Sequence, residues 1–200
     1  MLLKTIITMK KIILSIALSA AFTLANAQTT WTIDNTHSSV GFSVSHLVIS
    51  EVEGSFKDFN ASVMSHSEDF EGSEVKFNAK VASIDTDNEQ RDGHLKSEDF
   101  FDAEKHPELS FNGKVIKNDK KYILKGQLTM RGTTRDVTFN VKYNGTVKDP
   151  YGNIKSGFKI TGEINRKDYG LKWGALTEAG GAVVGDEVTI NCNIQLQKQG

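Results

Sequence analysis

The side chains that could carry out chemistry are few, and they are scattered along the chain. Five histidines occur, at His37, His46, His66, His94 and His106. None lies in an H-E-x-x-H motif, and no two have the spacing of a zinc pair on one element. The chain has no G-x-S-x-G motif, and its single cysteine, Cys192, has no base close to it in the sequence. The sequence therefore predicts no catalytic residue, no metal site and no cofactor.

Three basic side chains could instead bind a polar or anionic group. Arg91 and His94 lie close together in the chain, and Arg166 follows a long segment of alternating residues. Their N–H groups are suitable donors to a phosphate or carbonyl oxygen. Surface ion pairs are the alternative interpretation, because such pairs are common and contribute little. The acidic residues close enough in sequence to form them include Asp92, Asp99 and Asp168.

Most of the chain alternates apolar and polar side chains with the period of a β-strand. Eight such segments are predicted, near residues 39–48, 52–63, 75–81, 109–115, 122–130, 137–143, 154–164 and 188–196. A change of phase at Lys57-Asp58 predicts a β-bulge in the second segment. His46 falls on the apolar face of the first segment, where a hydrogen-bonded core histidine is the alternative to a functional one. Short turns join most of the segments, so neighbouring strands are expected to pair antiparallel.

These elements predict an all-β fold, an eight-stranded antiparallel β-barrel. An open sheet would leave unpaired strand edges, and closure into a barrel removes them. A two-sheet sandwich is the alternative. Residues 91–111 do not alternate and predict a short helical insert between the third and fourth strands. Its Leu95, Phe100 and Phe101 form an apolar group that has to be buried, so we expect the insert to cover the barrel.

A barrel of eight strands is either filled with side chains or holds one small ligand. Gly113, Gly126 and Gly162 fall in the apolar phase of their strands, where a filled barrel would carry larger side chains. We interpret them as missing volume, and therefore as a sign of an apolar cavity for a hydrocarbon chain. Bulges or barrel corners are the alternative interpretation. The predicted ligand-binding residues are Phe42, Val44, His46, Phe77, Val81, Arg91, His94, Leu95, Phe100, Phe101, Phe111, Gly126, Leu128, Phe139, Phe158, Ile160, Gly162 and Arg166.

Residues 1–27 have the pattern of a secretory signal peptide. Two lysines precede an apolar run over residues 12–24, and Ala25-Asn26-Ala27 predicts cleavage after Ala27. The run is short for a membrane span, which disfavours the alternative of an uncleaved anchor. The remaining residues, 28–200, suit a single domain. We expect this domain to be periplasmic or secreted.

Composition narrows the range of partners. The net charge is −1, and no basic stripe occurs, so nucleic acid is not an expected partner. No second apolar run of about 20 residues follows the leader, so stable membrane insertion is not expected. The single cysteine excludes an internal disulfide. Oligomeric state is left open by these observations.

The sequence resembles the YceI-like family of bacterial secreted polyisoprenoid-binding proteins. The matching segments are WTIDNTHSSVGFSVSHL at 31–47, GSFKDF at 54–59, RDGHLKSEDFFDAEKHPELSF at 91–111, LKGQLTMRGTTRDV at 124–137 and GFKITGEINRKDYGL at 157–171. The resemblance implies a lipocalin-like barrel in which residues 28–200 bind an isoprenoid lipid, such as a polyprenyl diphosphate or the tail of a quinone. Some relatives take fatty acids or amides, so the resemblance leaves the ligand open.

Two other functions remain alternatives. One is a secreted enzyme or sequestering protein for another amphiphile, such as a fatty acid or amide, in which His46 or Arg91 would act in turnover. The other is a filled barrel that acts through its outer surface. Substituting leucine for Gly126 and Gly162 is expected to distinguish the two cases. A hollow barrel would lose ligand capacity, whereas a filled barrel would be overpacked and destabilised.

Overall fold

The structure, a computed structural model, describes residues 28–119, 121–178 and 180–199. The predicted leader, residues 1–27, lies outside the described residues. The strands are β1 (Thr29–Ile33), β2 (Ser39–His46), β3 (Ser50–Phe56), β4 (Phe59–Ser65), β5 (Glu74–Lys80), β6 (Ile84–Asp85), β7 (Glu108–Asn118), β8 (Lys121–Met130), β9 (Thr133–Lys148), β10 (Ile154–Asn165) and β11 (Val184–Lys198). One α-helix, α1 (Glu89–Lys96), lies in the described part of the chain, with short 3₁₀ turns at Asn35–His37, Val81–Ser83 and Arg166–Tyr169.

The sheet closes on itself through β1. Trp31 in this strand pairs with Val63 of β4 on one side and with Lys198 of β11 on the other. The ring then runs β1-β4-β5-β7-β8-β9-β10-β11, with antiparallel pairing at each step. The all-β prediction of a closed eight-stranded barrel is confirmed, and the two-sheet sandwich is excluded because the ring has no free edge.

Two positions in the barrel wall are each occupied by two consecutive strands, β1 with β2 and β3 with β4. β2 pairs with β11 between Val184 and Asn193, so it continues the course of β1 along the same partner. β3 and β4 likewise form one predicted strand, broken at Lys57-Asp58, where the change of phase predicted a bulge. The sequence interpretation missed β1, because this strand has only five residues.

The insert between β5 and β7 contains β6 and α1. Asn88 caps the helix: its side-chain oxygen accepts a hydrogen bond from the Arg91 backbone N–H at 2.9 Å. The chain then turns at Ser97 and carries Phe100 and Phe101 into the core. β7 begins at Glu108, directly after Pro107. The predicted short helical insert is therefore confirmed, with Phe100 and Phe101 buried and Leu95 partly buried.

Candidate functional site

The barrel interior contains a cavity of about 230 Å³. Apolar cavities of about 150 Å³ stay dry in proteins and accept small hydrocarbons, so this one exceeds the size at which an apolar ligand can enter. Predicted ligand-binding residues that line it are Phe42, Val44, Phe77, Leu95, Phe100, Phe101, Phe111, Leu128, Phe139, Phe158, Ile160 and Arg166. Arg166 is the one charged side chain among the described lining residues.

The cavity is long and narrow. On β11 its lining runs from Val188 through Ile190, Cys192 and Ile194 to Leu196. At about 3.4 Å per residue, these positions span about 27 Å along the strand. Barrel strands are tilted, so the length along the barrel axis is somewhat less. Such a shape suits an extended chain better than a compact ligand.

The insert covers one end of the cavity, and we call its apolar side chains Leu95, Phe100 and Phe101 the lid. The Phe101 ring meets the Phe56 ring edge-on, with the centroids 6.0 Å apart. The Phe100 ring packs against Trp173 of the loop before β11, at 5.3 Å between centroids. Aromatic contacts therefore fix the lid to two different parts of the barrel, β3 and the loop before β11.

Hydrogen bonds to charged side chains hold the insert in place. The Asp92 carboxylate is buried and accepts from the Thr86 backbone N–H at 2.9 Å and from the Thr86 hydroxyl at 2.6 Å. The Arg131 guanidinium donates to the Glu98 carbonyl at 2.7 Å and to the Gly170 carbonyl. Arg131 thereby joins the insert, the β8–β9 turn and the chain after β10.

A single phenylalanine closes the opposite end. Phe70 lies in the polar loop between β4 and β5, yet only 1% of its surface is exposed. Its ring centroid lies 5.0 Å from that of Trp31, 4.9 Å from that of Phe158 and 5.7 Å from that of Tyr143. Its φ of 63° is unusual for a bulky residue, so tertiary packing holds the backbone there. We call Phe70 the plug; the signal missed in the sequence is one aromatic residue inside a polar loop.

Comparison with known proteins agrees with this geometry. The model of the YceI-like domain matches residues 31–196. The chain belongs to the YceI-like family. A UPF0312 protein of Staphylococcus aureus is 38% identical over 170 residues, which cover 84% of this chain and 96% of that protein.

Solved structures of similar proteins share the barrel. A YCEI protein of Campylobacter jejuni is 29% identical, with a TM-score of 0.67 over 78% of this chain and 90% of the other. BcnA of Burkholderia cenocepacia has a TM-score of 0.70 at 23% identity, covering 82% of this chain and 98% of the other. A polyisoprenoid binding domain from Saccharophagus degradans has a TM-score of 0.58 at 15% identity, covering 84% and 98%. At 23% and 15% identity, BcnA and the polyisoprenoid binding domain are evidence for a shared fold only.

In this YceI-like barrel, Arg166 is buried and fully hydrogen-bonded. Its Nε donates to the Gly185 carbonyl at 2.7 Å, and its Nη1 donates to the carbonyls of Leu171 and Trp173 at 2.6 and 2.7 Å. Its Nη2 donates to the Val184 carbonyl and the Asp186 carboxylate, both at 3.4 Å. A guanidinium has five N–H donors, and these five contacts use all of them.

This arrangement argues against the predicted head-group role of Arg166. Burial lowers its pKa from the ordinary value, and the nearby Asp186 carboxylate opposes that shift. With its donors directed at backbone carbonyls, the side chain fixes the chain between β10 and β11 instead of offering a donor to a ligand. The alternative of a surface pair with Asp168 is also wrong, because only 4% of Arg166 is exposed and its acidic partner is Asp186.

The structure does not bring the other predicted polar residues to the cavity. The Arg91 side chain donates to the hydroxyl and carbonyl oxygens of Thr86 at 2.7 and 2.6 Å, within the insert itself. His94 lies 2.9 Å from the Asp99 carboxylate, and its ring packs on Phe100 and Trp173 outside the lining. Neither residue lines the cavity, and local partners within the insert satisfy the polar groups of both.

Two further predicted residues also lie outside the lining. His46 is partly exposed at the end of β2, where it pairs with Ser50, and it does not line the cavity. Val81 is buried in the 3₁₀ turn after β5 and packs in the core without lining the cavity. In both cases the strand ends before the residue, or at it, so an apolar-phase position there lies outside the cavity lining.

The interpretation of the inward glycines as missing volume is wrong. A Cβ at Gly162 would stand 2.6 Å from Cδ1 of Phe139, and one at Gly113 would stand 2.5 Å from Cζ of Phe111. A Cβ at Gly126, which pairs with Gly113, would meet the Asn112 carbonyl oxygen and the Phe111 ring. Phenylalanine rings and backbone fill the space at these glycines, so neither Gly126 nor Gly162 lines the cavity.

Cys192 lies at the middle of the β11 lining. It is buried, and burial raises the pKa of its thiol to about 11. A thiol with so high a pKa is protonated near neutral pH and reacts poorly as a nucleophile. The side chain contributes apolar surface to the cavity wall, as its alternating position predicted.

Among the described residues, the structure contains no helix with the length and apolar character needed to cross a membrane.

Proposed function

We propose that this YceI-like protein binds an amphiphile with a long apolar chain and encloses that chain in the barrel. The observation that carries the proposal is the continuous apolar cavity between lid and plug, whose described wall contains one charged side chain, already hydrogen-bonded. A buried methylene contributes about 0.8 kcal/mol, so ten of them contribute about 8 kcal/mol. That corresponds to an affinity in the micromolar range before the cost of ordering the ligand.

The polar end of such a ligand belongs outside the cavity. A buried head group without hydrogen-bond partners is strongly disfavoured, and Arg166 has no N–H left to donate. Recognition therefore rests on the length and width of the apolar chain. Ligands with different head groups and similar tails are expected to bind with similar affinity.

An isoprenoid lipid is the ligand class we favour, either a polyprenyl diphosphate or an isoprenoid quinone. The similar fold of the polyisoprenoid binding domain from Saccharophagus degradans supports this choice. A fatty acid or amide is the alternative within the same site. With the predicted leader removed, the protein would act in the periplasm or after secretion, where it would carry or store its lipid.

Mass spectrometry of lipids extracted from the purified protein tests the proposal. We expect a bound isoprenoid or similar amphiphile in the wild type. Cys192→Phe places a ring in the middle of the lining, and we expect it to abolish the bound lipid while the fold is retained. Cys192→Val is the matched control, because it keeps the side chain small and apolar. A wild type without bound lipid that also fails to bind added polyprenol would refute the proposal.

A further inference from the structure

The hairpin between β2 and β3 ends in exposed apolar residues. Val48 is 70% exposed and Ile49 is 87% exposed, while Leu47 is 38% exposed. The loop before β11 adds Leu176, which is 74% exposed. The Leu47 backbone N–H donates to the Val183 carbonyl at 3.0 Å, so hairpin and loop are tied together. We call Leu47, Val48, Ile49 and Leu176 the apolar tip.

The turn at this tip has a backbone conformation that its residues, Leu47 and Val48, rarely adopt. Leu47 and Val48 have φ values of 52° and 66°, and the Ile49 N–H donates to the His46 carbonyl at 3.3 Å. Positive φ at both central residues is the geometry of a type I′ hairpin turn, which strongly prefers Asn-Gly. A β-branched valine at positive φ is a clear outlier. Packing does not explain it, because Val48 is exposed, and such strained positions are concentrated at functional sites.

The apolar tip lies at the lid end of the cavity. Val44, which lines the cavity, is three residues before the turn on β2. Val184, which pairs with His46, also lines the cavity. The tip therefore lies next to the cavity wall at this end, whereas the plug closes the other end.

We propose that the apolar tip inserts into the surface of a lipid bilayer and holds the lid end of the barrel against the membrane. This inference rests on the proposed function, because a protein that encloses lipid has to exchange it with a membrane. A second copy of the chain fits less well, since stable protein interfaces use about 20–30 residues a side and the tip has four apolar side chains.

The charges near the tip indicate what kind of bilayer it fits. Glu51 follows the hairpin, and Lys172 and Glu178 lie in the loop that carries Leu176. These charges are of mixed sign, so attraction to anionic lipids is not the driving force. Insertion by apolar burial alone is expected to persist on uncharged lipid and at high salt.

Flotation with vesicles of phosphatidylcholine tests this inference, using the chain from Gln28 onward, which contains the strands, the lid and the plug. We expect the wild type to float with the vesicles in both 0.1 M and 1 M salt. The triple variant Leu47→Asn, Val48→Gly, Ile49→Ser is expected to lose about tenfold or more in partitioning, since each buried aliphatic side chain is worth at least about that factor. Because Asn-Gly suits the turn, its melting temperature is expected to be unchanged or higher.

The matched control changes the hairpin at the opposite end. Val147 and Tyr151 are 66% and 90% exposed near the β9–β10 turn, and the double variant Val147→Ser, Tyr151→Ser is expected to float like the wild type. Equal flotation of the triple variant and the wild type would overturn the inference. So would a wild type that stays in solution and forms a dimer that the triple variant lacks, because the tip would then contact a second copy.

Lipid content separates this inference from the proposed function. If the function is correct, the triple variant keeps its extracted lipid while it loses flotation. A wild type that floats but contains and binds no lipid would overturn the cavity function and leave membrane contact standing. A wild type that holds lipid but does not float would overturn only the role of the tip.

Discussion

The ring of Phe70 stands nearly perpendicular to the ring of Phe158, at 83° and with centroids 4.9 Å apart. Phe158 lines the cavity, so this contact is where the β4–β5 loop seals the barrel. A loop of otherwise polar residues thus provides the closure of an apolar space.

Replacing the plug should both destabilise and open the barrel. We expect Phe70→Ala to lower the free energy of unfolding by about 3–5 kcal/mol, because the ring is almost fully buried. Bound lipid should also dissociate faster from the variant, as measured by transfer of a fluorescent polyprenol to vesicles. Phe70→Leu keeps most of the apolar volume, so it should show a smaller loss of stability and a smaller increase in the dissociation rate. An unchanged dissociation rate in Phe70→Ala would contradict the role of a plug.

Arg166 should be required for stability and not for the choice of head group. We expect Arg166→Lys to be destabilised by about 3–5 kcal/mol in urea unfolding, because one ammonium cannot satisfy carbonyls arranged around a planar guanidinium. The folded fraction should bind polyprenol and polyprenyl diphosphate with an unchanged affinity ratio. Lys167→Ala is the control. This exposed lysine pairs with the same Asp186, so its replacement should lower the free energy of unfolding by less than about 1 kcal/mol. A selective loss of diphosphate binding would restore the head-group role.

Asp34 should make stability depend on pH in the acid range. Its carboxylate lies 2.6 Å from Lys155 Nζ, and it also accepts from Gln195 Nε2 at 2.9 Å. The hydrogen bond from Lys155 is the main reason that its pKa lies below the ordinary value, with burial opposing the shift. A carboxyl with a depressed pKa stabilises the fold above its unfolded pKa of about 4, and this contribution is lost as pH falls through the lower folded value.

For this reason we expect Asp34→Asn to lower the free energy of unfolding by about 2 kcal/mol at pH 7. The difference from the wild type should shrink steadily below pH 4 in urea titrations. Glu74→Gln, which breaks a pair with Lys114 whose side chains are 64% and 46% exposed, should change stability little at either pH. A difference for Asp34→Asn that is constant with pH would show that ionisation is not its cause.

Two of the three inward glycines, Gly162 and Gly126, should differ in whether a smaller neighbouring side chain restores the stability lost on substitution. Gly162→Ala would force the new Cβ against the Phe139 ring, and we expect a loss of about 1–3 kcal/mol that Phe139→Leu partly restores in the double variant. Gly126→Ala would meet the Asn112 backbone carbonyl, so Phe111→Leu should not restore it. Thermal unfolding of the four single and two double variants measures both couplings. Equal rescue at the two sites would contradict the packing described.

Much of the barrel could be predicted from local patterns. Strand alternation depends on neighbouring residues, and it correctly placed Phe42, Leu128 and Ile160 on the inner face. The change of phase at Lys57-Asp58 marked a real interruption, and the non-alternating insert was found with its buried phenylalanines. Alternation did not reveal that His46 and Val81, at or just after strand ends, lie outside the cavity lining.

By itself, the sequence determined that this protein is an antiparallel barrel of eight strands with an aromatic insert, and its motifs indicated the YceI-like family. Only the tertiary structure decided how that barrel is closed and what remains empty inside it. Ring closure joins Trp31 to Lys198, Arg166 finds its carbonyl partners in a loop, and Phe139 covers Gly162 from a neighbouring strand. These contacts depend on residues that are distant along the chain and meet only when the sheet is curved, so no local periodicity records them.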